Sequence, residues 1–272
     1  MAAFSNRQKN MDEIIDKLSG RIIHELKKEY ADVDCFDWSD LIGVLDEIFS
    51  EKRVQFIFII DEWDCIFREH KNDTSAQNLY LDFLRNLLKN QSYVALAYMT
   101  GILPIKKYGI HSALNMFTEV SMTNAQPISE FTGFTEDEVK EICSKYSKDY
   151  EEMKRWYDGY CLDGISIYNP KSVVESVLRR SYSTYWTSTE TYEALKEYIQ
   201  KNFDSLKEKI SAMIGGEKVS INTAKFQNDM TSLNSADDVL TLLVHLGYLT
   251  FRATNETGYG EVWIPNCEVQ QE

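Results

Sequence analysis

The sequence of 272 residues has no apolar run long enough to form a membrane-spanning helix, and its opening stretch, MAAFSNRQKN, has no apolar core of the kind a secretory signal needs. It has no Cys-x-x-Cys pair. Cys35, Cys65, Cys143, Cys161 and Cys267 lie far apart, an odd number of thiols without a disulfide framework. These absences lead us to expect a soluble, cytoplasmic protein with reduced thiols and no membrane partner. Histidine is scarce, and His24, His70, His111 and His245 stand at no zinc-ligand spacing from one another or from the cysteines. Cations are in deficit, with 29 Lys and Arg against 43 Asp and Glu and a formal net charge of −14. A chain-wide nucleic-acid footprint is therefore not expected, because that needs clustered cations to displace phosphate counterions. A small local basic patch stays open.

What is present is apolar material in two periodicities. Helical spacing predicts a helix over 11–30 (Ile14, Ile15, Leu18, Ile22, Ile23, Leu26), a second over 38–51 and a third over 77–90. Continuous apolar runs predict strands over 54–60 and 93–100, with FTEVSM at 117–122 as a third. Helices alternating with fully apolar strands predict a parallel α/β sheet buried on both faces, over residues 1–130. From 131 to 215 the chain reads as a mostly helical subdomain, opened by a capping box at Thr135-Glu-Asp-Glu138 and restarted at Asn169-Pro170. Over 216–272, a helix from Asp237 to Leu246 and two strands around the turn ETGYG predict a winged-helix module.

The stretch VQFIFIIDEWD ends an apolar strand in two carboxylates. Open α/β sheets bind ligands at the carboxyl ends of their strands. In P-loop nucleotidases such an Asp holds magnesium, and a following Glu can orient the attacking water. That assigns Asp61 to a metal and Glu62 to catalysis, although acidic residues also end strands for solubility alone. The second strand leaves at Thr100-Gly101 and is followed by Lys106 and Lys107, read either as a basic sensor near a γ-phosphate or as solvated loop charges. Trp156, Tyr157 and Tyr160, around Asp158-Gly159, are read as packing the helical subdomain against the α/β core, with adenine contact as the alternative. Arg155, Arg179 and Arg180 are read as ion-paired or solvated, with phosphate contact as the alternative.

Five segments, IIDEWD, TGILPIKKYG, FTGFTEDEV, RWYDGYCLDGISIYNPKSVV and LLVHLGYLTF with IPNCEV, together resemble the predicted AAA-ATPase family of bacteria, in the family's order and over nearly the whole chain. The resemblance implies an ATP-binding and ATP-hydrolysing lineage using ATP and Mg²⁺. Asp61 and Glu62 match the Walker B pair, and Lys106 falls in the sensor-region motif. The family's phosphate-binding loop, G-x-x-x-x-G-K-[ST], occurs nowhere in this sequence, and Gly215-Gly216-Glu217-Lys218 has the wrong spacing. Nor is there a PD…(D/E)xK constellation of the family's nuclease-like domain; Asp163, Lys171 and Glu175 do not form one. The expectation is an incomplete P-loop-type α/β core, inactive by itself. With its first strand missing, the 93–100 strand should have an unpaired or irregularly covered edge, covered by another chain or by displaced local structure. The chain would self-associate or meet one supplying the missing ATPase half. The alternative function is a non-catalytic module contacting protein or nucleic acid, with the acidic Asp237 and Asp238 disfavouring DNA.

Overall fold

The computed structural model describes residues 10–70, 73–102, 114–186, 203–224, 226 and 233–271. It is a mixed α/β structure in two compact units, one running to Thr118 and one from Glu119 onward. None of the helices among the described residues is long and apolar enough to cross a membrane.

The first unit opens with α1 (Met11–Glu29), whose start is set by Asn10 accepting from the Asp12 N–H at 3.1 Å. Acids in its first turn and Lys27 and Lys28 in its last suit the helix dipole. Helix α2 (Leu41–Lys52) is capped by Asp40 and ends on Arg53 in the left-handed region (φ 58°). Strand β1 (Phe56–Ile60) is followed by the short α3 (Cys65–Glu69), by α4 (Thr74–Leu88) and by β2 (Val94–Met99). β1 and β2 run parallel, with Ile57 opposite Leu96 and Ile60 opposite Met99.

Ile23, Leu26, Val44, Leu45, Ile48, Leu87 and Tyr93 form a core against one face of this pair, joined by Phe56, Phe58, Ile60, Ala97 and Met99. The expectation of burial on both faces is corrected here. Ile57 (64% exposed), Ile59 (73%), Leu96 (54%) and Tyr98 (48%) point the other way and stay open. The physical reason is that α1, α2 and α4 all contribute to that single core, so none covers the opposite face. Among the described residues β2 pairs with β1 alone, which leaves its second edge unpaired. The third strand expected at 117–122 does not form. Ser121 and Asn124 instead exchange backbone hydrogen bonds (2.9 and 3.0 Å) across a tight turn.

The second unit begins with β3 (Phe134–Thr135) and α5 (Glu136–Tyr146), where the Thr135–Glu138 capping box is present as expected. Helix α6 (Tyr150–Tyr157), strands β4 (Tyr160–Leu162) and β5 (Ile165–Tyr168), and α7 (Pro170–Arg179) follow. The segment is thus less helical than expected, because β3, β5 and β4 form an antiparallel sheet. Asp163 (φ 51°) and Gly164 (φ 86°) turn β4 into β5 with both central residues left-handed, as a two-residue hairpin requires.

Helix α8 (Leu206–Ile214) and β6 (Val219–Asn222) precede α9 (Ala236–His245), which Ser235 and Asp238 start with a second capping box. β7 (Thr250–Ala253), β8 (Tyr259–Trp263) and α10 (Cys267–Gln270) close the unit. The β7–β8 hairpin is where the sequence places it, and β6 joins its other side in the order β6-β8-β7.

Candidate functional site

The apolar run of β1 ends at Ile60, so Asp61 and Glu62 emerge at the carboxyl edge of the parallel pair, both exposed. The neighbouring strand ends at the same edge: the Thr100 N–H donates to the Ile60 carbonyl and the Trp63 N–H to the Thr100 carbonyl, each at 2.9 Å. That pairing brings the Thr100 hydroxyl onto the Asp61 carboxylate, to which it donates. The same Asp61 oxygen accepts the Glu62 N–H at 3.1 Å. Glu62 sits in the left-handed region (φ 51°), a conformation that costs an L-residue about 1–2 kcal/mol. The chain then dives inward, with Trp63, Asp64, Cys65 and Ile66 all buried. Asp64 Oδ2 accepts the Ile102 N–H at 3.1 Å, holding the exit of β2 against the exit of β1. Gly101 passes so close to Trp63 and Asp64 that a Cβ there would lie 2.7 Å from the indole ring.

The structure therefore joins Asp61, Glu62 and Thr100 in one cluster. In the sequence Thr100 marks only the end of a strand, and nothing local there identifies it as the partner of Asp61. Lys106, the third expected site residue, lies outside the described residues, as does Lys107. Of the arginines, Arg155 pairs with Glu152 and Arg179 with Glu175, each at 2.6 Å. Arg180 ends α7 in the left-handed region.

The aromatic group at 156–160 packs the second unit. Tyr157 is fully buried, exchanges hydrogen bonds with Ser183 through its hydroxyl, and packs against Trp156, Tyr182 and Tyr185. Burial pushes its phenol well above the ordinary range, so it stays neutral. Tyr160 reaches the Gly247 carbonyl at 3.0 Å. A residue the sequence did not single out, Glu268 on α10, is fully buried. One of its oxygens accepts from Ser172 Oγ (2.9 Å) and from the N–H groups of Tyr185 (2.7 Å) and Trp186 (3.1 Å). None of the five cysteines forms a disulfide, and burial raises Cys35 to about 11, which keeps it protonated and unreactive.

Magnesium takes one or two carboxylates, several waters and phosphate oxygens, and an exposed Asp61 beside Glu62 fits that donor chemistry. Among the described residues no group of three or more His, Cys, Asp or Glu side chains could cage a metal, so a metal here would need ligands from elsewhere. The phosphates do not fit in the same way. No Gly-Lys-Ser or Gly-Lys-Thr loop exists in the sequence to cradle them, and no phosphoryl-transfer step follows from these residues alone.

No family model matches the sequence, and no solved structure matches the fold. The chain is similar to the "Uncharacterized protein in vnfD 5'region" of Azotobacter chroococcum mcd 1, at 26% identity over 141 residues. The match covers 50% of this chain and 27% of that relative, so it spans about a quarter of the relative's length.

Proposed function

We propose that this chain carries the metal- and water-handling edge of an ATPase of the AAA type and does not hydrolyse ATP without a phosphate-binding element from elsewhere. The observation that carries the reading is the cluster at the ends of β1 and β2. Thr100 holds Asp61, and Glu62 beside it occupies a strained backbone conformation in the open. Strained residues concentrate at functional sites, and a nucleotide's magnesium belongs at this edge of a parallel sheet. Asp61 would hold Mg²⁺ and Glu62 would address a water, with Lys106 as the basic residue near the phosphates. Five cysteines with no disulfide among them support a cytoplasmic setting.

The test uses Mn²⁺ as the metal probe, followed by water-proton relaxation with and without ATP. Enhanced Mn²⁺ binding in the presence of ATP is expected, with its loss in Asp61→Asn. Identical titrations for the two proteins would remove the reading. Steady-state phosphate release is expected to equal that of a Glu62→Gln control; a clear excess would mean that the chain is a complete enzyme.

A second reading, a non-catalytic interaction module, is favoured by the open face of Ile57, Ile59, Leu96 and Tyr98. Parallel sheets are covered on both faces, so this one calls for a partner, either another copy or a chain supplying further strands and helices. Nucleic acid is a poorer partner. Helix α9 of the winged-helix-like segment is buried over most of its surface, and its first turn carries Asp237 and Asp238.

A further inference from the structure

Helices α5 and α7 of the second unit do not close on each other completely. Between them runs an open groove of about 420 Å³, floored by Phe134, Ile142, Val173 and Val177. Its α7 wall is wholly apolar and its outer part stands in solvent, with Val174 44% and Leu178 73% exposed. Packing within the unit does not require that surface, because α7 already buries Ser172, Val173 and Ser176. The charges come entirely from the other wall. Glu138, Glu141 and Lys145 lie three and four residues apart on α5, so they share one face of that helix. Lys145 is held over the Tyr146 ring at 5.5 Å. Among the described residues Glu141 makes no ion pair, and Glu138 is engaged with Thr135, a neutral residue. The groove thus has one apolar wall and one wall whose leading charge is negative.

We propose that this groove receives an amphipathic helix of another protein, its apolar stripe on Val174, Val177 and Leu178 and a Lys/Arg-bearing edge along Glu138 and Glu141. Helices of 10 and 11 residues frame a groove about 15 Å long, which matches about three turns of a docked helix and anchors at i, i+4 and i+7. The carboxylates of Glu138 and Glu141 along this wall argue for a basic partner. The proposal stands apart from the ATPase reading, which concerns the other unit.

The probe is a fluorescein-labelled 14-residue helix with Leu at i, i+4, i+7 and i+11 and Lys along one edge, titrated by anisotropy with the full chain. A control peptide carries Glu in place of those Lys. Micromolar binding is expected for the Lys peptide and at least tenfold weaker binding for the Glu peptide. Leu178→Glu should weaken the first by tenfold or more while leaving the circular dichroism melt unchanged, because Leu178 is exposed. Glu138→Gln with Glu141→Gln should narrow the gap between the two peptides. No binding, equal affinity for both peptides, or binding unmoved by both Leu178→Glu and Val174→Glu would overturn the proposal. So would a concentration-dependent dimer of the protein that Leu178→Glu abolishes, since the occupant would then be a second copy.

Discussion

The Thr100 hydroxyl donates to the Asp61 carboxylate, tying together the last side chains of two adjacent parallel strands. The Glu62 N–H also approaches that hydroxyl, at 3.4 Å, so one threonine braces both carboxylate residues. Thr100→Val should cost about 1 kcal/mol, the ordinary value of such a bond. Glu62→Gly should be neutral or up to about 1 kcal/mol stabilising, because glycine relieves the left-handed backbone at the expense of chain entropy. If Thr100 helps hold Glu62 in that conformation, the double variant will depart from the sum of the two. Urea unfolding of all four proteins measures the coupling, and strict additivity would mean the brace is absent.

Gly159 lies against the chain just before α10. Its φ is +108°, and a Cβ there would run into the Pro265 carbonyl. Asn266 fixes the same approach by donating to the Asp158 carbonyl at 2.9 Å. Gly159→Ala should therefore cost about 3 kcal/mol or more, combining backbone strain with a collision against main chain. Gly164 is the control: its φ is +86°, but nothing lies within 4 Å of its Cβ position. Gly164→Ala should lose only about 1 kcal/mol, from backbone strain alone. Equal losses in thermal melts would show that the Pro265 contact carries no weight.

The long elements were legible because their signals are local. The stripe of α1, the apolar runs of β1 and β2, and the caps at Thr135 and Asn169 all act within a few residues. The β3-β5-β4 sheet was missed because strands of two to four residues carry no usable period. Its one available sign was Asp163-Gly164, a hairpin dipeptide. Strand β6, of four residues, was missed for the same reason. At the site, Asp61 and Glu62 were legible as an abrupt change of polarity. Thr100 was not, since its meeting with Asp61 spans 39 residues of sequence, and Glu268 meets Ser172 across 96. Nor could composition separate Ile57 and Ile59 from their buried neighbours, because exposure depends on what packs on the sheet.

Tyr80 and Tyr93 are both fully buried in the first unit, yet only one has use for its hydroxyl. Tyr93 donates to the Leu87 carbonyl at 2.8 Å. Among the described residues the Tyr80 hydroxyl has no hydrogen-bond partner, and its ring packs by Phe67. Tyr93→Phe should cost about 1 kcal/mol, whereas Tyr80→Phe should be neutral or up to about 1 kcal/mol stabilising, because it removes an unsatisfied buried group. A loss at position 80 as large as that at position 93, measured in urea, would reveal a partner for the Tyr80 hydroxyl.

His245, in the last turn of α9, stacks on Phe226 with ring centroids 5.5 Å apart. Burial lowers its pKa to about 4, so the folded protein holds it neutral where an unfolded chain would begin to protonate it, near 6.5. The sign follows from proton counting. Above pH 6.5 both states are neutral and the full stability is present. Between 6.5 and about 4 the unfolded state binds the extra proton, so stability falls as the pH falls. Below about 4 both states carry the proton and the loss levels off. One group contributes a slope of at most about 1.4 kcal/mol per pH unit, and partial exposure of the ring reduces it. Carboxylates lose stability in the same region, so the useful quantity is the difference between the wild type and His245→Gln. Urea midpoints at pH 7.5, 6.0, 5.0 and 4.5 should converge as the pH falls, with the variant less stable at neutral pH and less sensitive to acid. Parallel curves would mean that His245 titrates alike in the folded and unfolded chains, and that its packing on Phe226 does not exclude the charged form.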